Sequence, residues 1–484
     1  MLVNSVNFLI FFTVVFVVYY FILAKRYKLQ NLWLLITSYF FYGFASWKMI
    51  PLLAISTLLF YALGLIVGKY KEKENQRAGF YAILGSLFGI GLLLYFKYLN
   101  FFIKSFSELF DSLGFQTNWG LFNIVMPLGI SFFTFKLISY LIEINRGNLT
   151  PTKNVVDFAT YISFFPTILS GPIDRPKPFL AQLNKVRVLD YLMSSEGLKR
   201  IFWGMFMKMC VADRLSIYLD AIFNNSTHHN GTSLAVAVLL YPIQLYADFA
   251  GYSEMAIGVA LILGIKVAEN FKRPFFSTNI ADYWRKWHIS LTSWLTDYVF
   301  MPLNIKFRSL EKYGSLLAII GTFVLIGLWH GAAWTFVLFG LYHGLLYIPL
   351  MLSGAFFKKN KIKKTNRGLP TIIPVIKMIR TYLLVALGLI LFRSSGIEQT
   401  VSILSKIFTD WGSLFIDSTS LMNAAICITI LFVKDIRDEY LTKTALISQG
   451  IISRYRYELT VAAYAILILF FGVLDGGQFI YFKF

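Results

Sequence analysis

The sequence predicts an all-α, polytopic integral membrane protein with about 11–13 transmembrane or re-entrant helices, each needing roughly 20 apolar residues. Three observations predict it. Hydrophobic residues make up 57% of the 484 positions and charged residues only 14%, against about 25% charged in soluble domains. The mean hydropathy is +0.64. The apolar residues also come in runs of span length, separated by short loops that hold most of the Lys and Arg.

Taken in order, candidate spans fall at about 6–24, 31–47, 50–68, 79–103, 121–144, 155–171, 201–220, 232–250, 252–266, 314–333, 334–356, 370–393, 419–434 and 457–474; several are short or broken by glycine. The first run lacks a basic leader and a small-residue cleavage site, so it reads as a retained span rather than a signal peptide. The net charge of +20 does not point to nucleic acid, because the cations form short loop clusters with no long basic face. KRYK at 25–28, KYKEKENQR at 69–77, the stretch 172–200 and KKNKIKKTNR at 358–367 are such clusters. The positive-inside bias makes them cytoplasmic. The stretches 105–123 and 215–265 hold no Lys or Arg, and 394–433 holds only Lys406, so these face outside. Between 150 and 312 the alternation fails. That region is dense in Pro, Gly, aromatic and charged residues, which suits re-entrant or interfacial backbone lining a protected cavity. No internal repeat, linker or low-complexity tail divides the chain, so 1–484 reads as a single membrane-embedded domain with a core at about 121–350.

Three of the five histidines lie between Phe275 and Gly344: His288, His330 and His343. Residues 314–357 contain no Asp, Glu, Lys or Arg, room for two spans, and His330 falls ~24 Å along the first, past the midplane or near a hairpin at Gly331–Trp334. An ionisable group at that depth is costly and marks function by default. Neutral imidazole is the common general base near pH 7, burial among Trp329, Trp334 and aliphatic side chains keeps it unprotonated, and dry surroundings protect an activated acyl group from water. A structural histidine bonded between helices is the plainer alternative.

His288 follows Trp284, Arg285, Lys286 and Trp287. Asn279 with Asp282 resembles a capping pair that starts a helix, from which Trp284, Trp287 and His288 share a face. Two readings stay open: an interfacial aromatic belt, or a cytoplasmic mouth where Arg285 and Lys286 meet phosphates of an anionic donor and His288 positions a thioester. His343 reads as packing with one hydrogen bond, and His228 and His229 as solvated. Asp248, Glu254 and Asp297 read as partners of nearby cations or as helix caps. No HExxH, paired-cysteine or carboxylate–histidine spacing argues for a metal, and there is no GxSxG elbow or P-loop.

WRKWHISLTSWLTDYVFMPL followed by GLWHGAAWTFVLFGLYHG resembles the core of the membrane-bound O-acyltransferases, nearest the bacterial alginate and peptidoglycan O-acetyltransferase branch. MPLGISFFTFKLISYLIE (126–143), FFPTILSGPIDRP (164–176), ADFAGYSEMAIG (247–258) and the terminal FGVLDGGQFIYFKF extend the resemblance over almost the whole chain. It implies a helical disc with a central funnel or tunnel, His330 as the catalytic histidine of the WHG motif, and His288 as the second implicated residue. Donor binding is then expected from Arg285, Lys286 and Trp287, and pocket lining from Trp329, Trp334, Asp248 and Tyr252, with no metal. It also implies acetyl-CoA or another acyl donor as co-substrate, no bound cofactor, and a bacterial inner-membrane location. A polysaccharide acceptor would be reached through a secreted SGNH-type partner. D-alanyl transfer to teichoic acid, a transporter or flippase, and a non-catalytic scaffold are the competing readings.

Overall fold

The computed structural model describes residues 1, 3–117, 119–354, 356, 368–441 and 456–474. The basic stretch 358–367 and most of the terminal FGVLDGGQFIYFKF motif lie outside these residues. Among those described the chain is helical, with no β-strand, as expected of a membrane protein whose backbone polar groups must pair internally. Among the described residues, seven helical segments are long and apolar enough to cross a membrane. Tyr27–Glu72 covers two expected spans, at 31–47 and 50–68, interrupted only by the tight turn Trp47–Met49.

The chain forms two compact units, residues 1–198 with 256–268, and residues 199–255 with 269–484. The first holds α1 (Val6–Val17), α2 (Tyr27–Ser46), α3 (Ile50–Glu72), α4 (Arg77–Leu93), α5 (Leu99–Ser112), α6 (Ile130–Asn145), α7 (Val155–Ser163) and α8 (Pro176–Leu183). Helix α6 is apolar nearly all round and buried nearly all round, the expected correspondence for a central helix. It does not fill the predicted span 121–144. Gly129 takes a left-handed conformation (φ 71°), and a side chain there would strike the Ile168 carbonyl, so the helix begins only at Ile130. Lys136 on α6 is fully buried and donates to Thr167 Oγ1 (3.0 Å) and the Tyr161 carbonyl (3.3 Å).

The predicted span 155–171 is also corrected. Helix α7 stops at Ser163, and Phe164–Ile173 runs as irregular but buried backbone. Pro166, Gly171 and Pro172 explain the stop, since proline removes a donor and disfavours helix in the residue before it. Beyond this segment, Asp174 accepts from the Ala268 amide (2.8 Å), and burial pushes its carboxyl up to about 6.

Then come α9 (Tyr191–Met205), α10 (Asp213–Asn224), α11 (Gly231–Ile262), α12 (Ile280–Lys286), α13 (Ile289–Leu295), α14 (Met301–Lys306), α15 (Glu311–His330), α16 (Trp334–Leu345), α17 (Ile348–Leu352), α18 (Ile372–Arg393), α19 (Ile397–Thr409), α20 (Ser418–Ile436) and α21 (Arg456–Phe471). The expected spans at 232–250 and 252–266 are one helix, α11, continuous through Pro242. Gly251 is not a break. A Cβ there would lie 2.8 Å from the Gly204 carbonyl of α9 and 3.1 Å from the Lys208 amide, so the glycine admits a close neighbour instead.

Candidate active site

Helix α15 ends at His330. Gly331 and Ala333 are extended, and α16 starts at Trp334, which is the hairpin expected at that point. The two helices meet backbone to backbone. A Cβ at Gly340 would fall 3.0 Å from Val324 Cα, and one at Gly344 3.0 Å from Ile320 Cα, while Gly327 lies against the Phe336 carbonyl. Small residues at such crossings let helices approach closely in a membrane, where packing replaces the hydrophobic drive.

The hairpin holds His330 at 4% exposure, its ring 4.9 Å from that of Trp329, 5.1 Å from Phe392 on α18 and 6.0 Å from Phe339 on α16. Phe339 also touches His343, with centroids 4.6 Å apart. His343 is 1% exposed and its Nδ1 accepts from Trp284 Nε1 (3.4 Å), a packed histidine with one hydrogen bond, yet it shares a small void of about 10 Å³ with His330, Trp284 and Trp287. That is about the space of one water. Sequence periodicity gave no sign that His343 stands beside His330.

His288 reaches the same neighbourhood from another direction. Asn279 Oδ1 accepts from the Asp282 amide (2.8 Å), so α12 starts where the capping pair places it. The helix ends at Lys286, however, Trp287 is extended, and His288 is left-handed (φ 44°, ψ 55°). The expected common helical face of Trp284, Trp287 and His288 therefore does not form. What positions His288 is Asn270, a residue the sequence did not single out. Its Oδ1 lies 2.9 Å from His288 Nδ1, and its carbonyl accepts from the Ile289 amide (2.8 Å). His288 is fully buried, 4.6 Å from the Phe249 ring and 5.5 Å from Trp329. Burial pushes its imidazolium down to about 3, so the ring is neutral at pH 7. Trp329 thus stacks edgewise against both His288 and His330, joining the two predicted histidines through one indole.

The remaining predicted residues separate. Trp287 lines the void beside His330. Arg285 stands exposed on the wall of a separate cavity of about 390 Å³ between α12, α13 and α15, and among the described residues no carboxylate pairs with it. Lys286 is held by Glu439 (3.4 Å) and Asp282 (3.6 Å). Trp334 is 52% exposed and does not bury His330; Phe339 and Phe392 do that, because the extended turn before α16 carries Trp334 outward. Asp248 and Tyr252 are buried on α11. Asp248 meets Lys208 (2.7 Å), which also binds Asp213 (2.8 Å), while Glu254 pairs with Arg200 (3.5 Å).

Residues 149–394 match the family described as MBOAT, membrane-bound O-acyltransferase. The chain is 34% identical to a probable alginate O-acetylase of Pseudomonas aeruginosa over 402 residues, 82% of this chain and 73% of that protein. The chain belongs to the membrane-bound O-acyltransferase family. A peptidoglycan O-acetyltransferase of Helicobacter pylori is 31% identical over 84% of this chain and 79% of its own length. A teichoic acid D-alanyltransferase of Bacillus subtilis is 36% identical, over 44% of this chain and 55% of its own. This membrane-bound O-acyltransferase is a multi-pass membrane enzyme, and the matched segment contains all three buried histidines.

Proposed function

We propose that this O-acyltransferase passes an acetyl group from a cytoplasmic donor, acetyl-CoA, across a bacterial inner membrane for O-acetylation of a cell-envelope or exported polysaccharide. The observation that carries the reading is His330, buried at the end of α15 among aromatic rings and linked to His288 through Trp329. His330 acts as general base. It takes the proton of the acceptor hydroxyl as that oxygen attacks the thioester carbonyl, and the thiolate of the donor leaves. The dry ring-lined setting limits loss of the acetyl group to water. Arg285, exposed on its cavity wall, supplies a cation for donor phosphates. Lys286, already held by two carboxylates, is a weaker candidate for that task.

Acetyl rather than D-alanyl transfer is favoured by coverage. The relatives named as O-acetylating enzymes match 82–85% of the chain, whereas the D-alanyltransferases match 44% and 50%. The polymer that finally carries the acetyl group is alginate-like, peptidoglycan or another exopolysaccharide, and a secreted SGNH-type acetyltransferase partner finishes the transfer to its sugar hydroxyl. The test is O-acetyl analysis of envelope polymers in a deletion strain complemented with wild type or His330→Ala. Loss of a general base costs ~10²–10⁴ in rate, so the variant should restore almost no O-acetyl groups at normal membrane abundance. Wild-type acetylation by that variant would overturn the assignment.

A further inference from the structure

We infer that Asn270 is a positioning residue that holds His288 in the tautomer with its proton on Nδ1, so that His288 offers a bare Nε2 and serves the transfer as a hydrogen-bond acceptor. The inference rests on the reading that His288 belongs to the acyl-transfer site.

The amide orientation of Asn270 is decided by its own partners. The Ser290 backbone amide points at Oδ1 (3.4 Å), and a backbone N–H can only donate. Ser290 Oγ donates to the same oxygen (2.9 Å), while Asn270 Nδ2 donates to Ser253 Oγ on α11 (3.0 Å). Turning the amide over would set its NH₂ against the Ser290 N–H. Oδ1 therefore faces His288 Nδ1 at 2.9 Å. A carbonyl oxygen has no proton to give, so Nδ1 must be the donor. A neutral imidazole carries one ring proton, and Nε2 is left with its lone pair. Among the described residues Nε2 is buried with no hydrogen-bond partner.

Two features show that the arrangement is held rather than incidental. His288 sits in the left-handed region, sparsely populated by residues other than glycine. Asn270 pins it there twice, through its side chain and through its carbonyl bond to the Ile289 amide. A bare Nε2 can accept from an acceptor hydroxyl or from a proton-bearing intermediate. It cannot donate to the oxyanion of a tetrahedral intermediate. Accepting a hydrogen bond therefore fits His288, and stabilising negative charge by donation does not.

The test uses the full-length protein in lipid, labelled with ¹⁵N-histidine and read by solid-state NMR, tractable because there are only five histidines. His288 is assigned by the signals lost in His288→Gln. The expected wild-type result is a protonated Nδ1 and an unprotonated Nε2 at neutral pH, kept in Asn270→Asp and lost to a mixture or to Nε2–H in Asn270→Leu. A proton on Nε2 in the wild type overturns the inference, as does an unchanged tautomer in Asn270→Leu. If Asn270→Leu fails to fold, the wild-type and Asn270→Asp spectra still decide. Acetyl transfer should fall by roughly tenfold or more in Asn270→Leu, as expected when a histidine loses the partner that fixes its tautomer, with partial rescue in Asn270→Asp. Full activity in His288→Gln would instead refute the role of His288 in transfer, an outcome separate from the tautomer measurement.

Discussion

Replacing Gly327 by alanine tests whether the α15–α16 hairpin sets the position of His330. A methyl group at Gly327 would overlap the Phe336 carbonyl and sit 3.0 Å from its carbon and 3.1 Å from the Gly340 amide. All three are backbone atoms, which cannot rotate away as a side-chain end would. Close-packed interiors have no slack to absorb the methyl, so the two helices must part by about 1 Å or more. His330 lies less than one turn beyond Gly327, at the end of the helix that moves. A displacement of about 1 Å remote from the chemistry can cost ~10² in rate. Gly327→Ala should therefore lower O-acetylation ~10²-fold while the protein still reaches the membrane. The control is Gly321→Ala on the same helix, where the new methyl meets only Leu303 Cδ1 at 3.8 Å, an ordinary contact. The assay is polymer O-acetyl content in the complemented deletion strain, normalised to membrane abundance of each variant. Equal acetylation by Gly327→Ala and Gly321→Ala would show that hairpin closeness does not hold the catalytic geometry.

Two further predictions separate charges that look alike in the sequence. Arg285→Ala should raise the acetyl-CoA concentration needed for half-maximal transfer in inside-out vesicles by about tenfold, the loss of one charge-assisted contact. Lys286→Ala should leave that value unchanged and shift thermal stability by less than about 1 kcal/mol. Indistinguishable donor dependence for the two variants would remove the distinction. Lys208→Met removes the ammonium that Asp213 and Asp248 share, and should cost about 3–5 kcal/mol, read as a lower unfolding temperature in detergent; an unchanged midpoint would mean that the shared ion pair does not hold this cluster together.

Much of the architecture is legible from composition and local signals. The all-helical class follows from apolar run length, the start of α12 from Asn279 and Asp282, and the end of α15 from the Gly331–Ala332–Ala333 turn. Family membership follows from the ordered WRKWHISL and GLWHG motifs. What was not legible depends on partners distant in sequence. Gly251 looks like a helix break until Gly204 is seen against it. Trp284, Trp287 and His288 have helical spacing, yet the chain leaves the helix at Trp287 because Asn270 captures the backbone and ring of the next residues. Asn270 itself precedes His288 by 18 residues in an irregular segment, where no periodicity operates. His343 joins the neighbourhood of His330 only because Phe339 lies between their rings.

The Lys208–Asp213–Asp248 cluster bears on how the chain is built into the bilayer. Asp248 lies about 17 residues into α11, ~25 Å from its start, and the Lys208 ammonium that meets it is on the π-helical stretch Phe206–Ala212 that leads into α10. A helix entering lipid alone with a charged residue near its centre pays about 2.5–3.5 kcal/mol on insertion scales. If α11 left the translocon before its neighbour, that carboxylate would face hydrocarbon unneutralised. Partitioning of 206–224 and 231–262 as one hairpin avoids this, because the ammonium and both carboxylates then enter already joined. Cooperative entry of these two segments into the membrane is the consequence to expect of the ion cluster, since the helix behind His288 shares its charge with the segment before it.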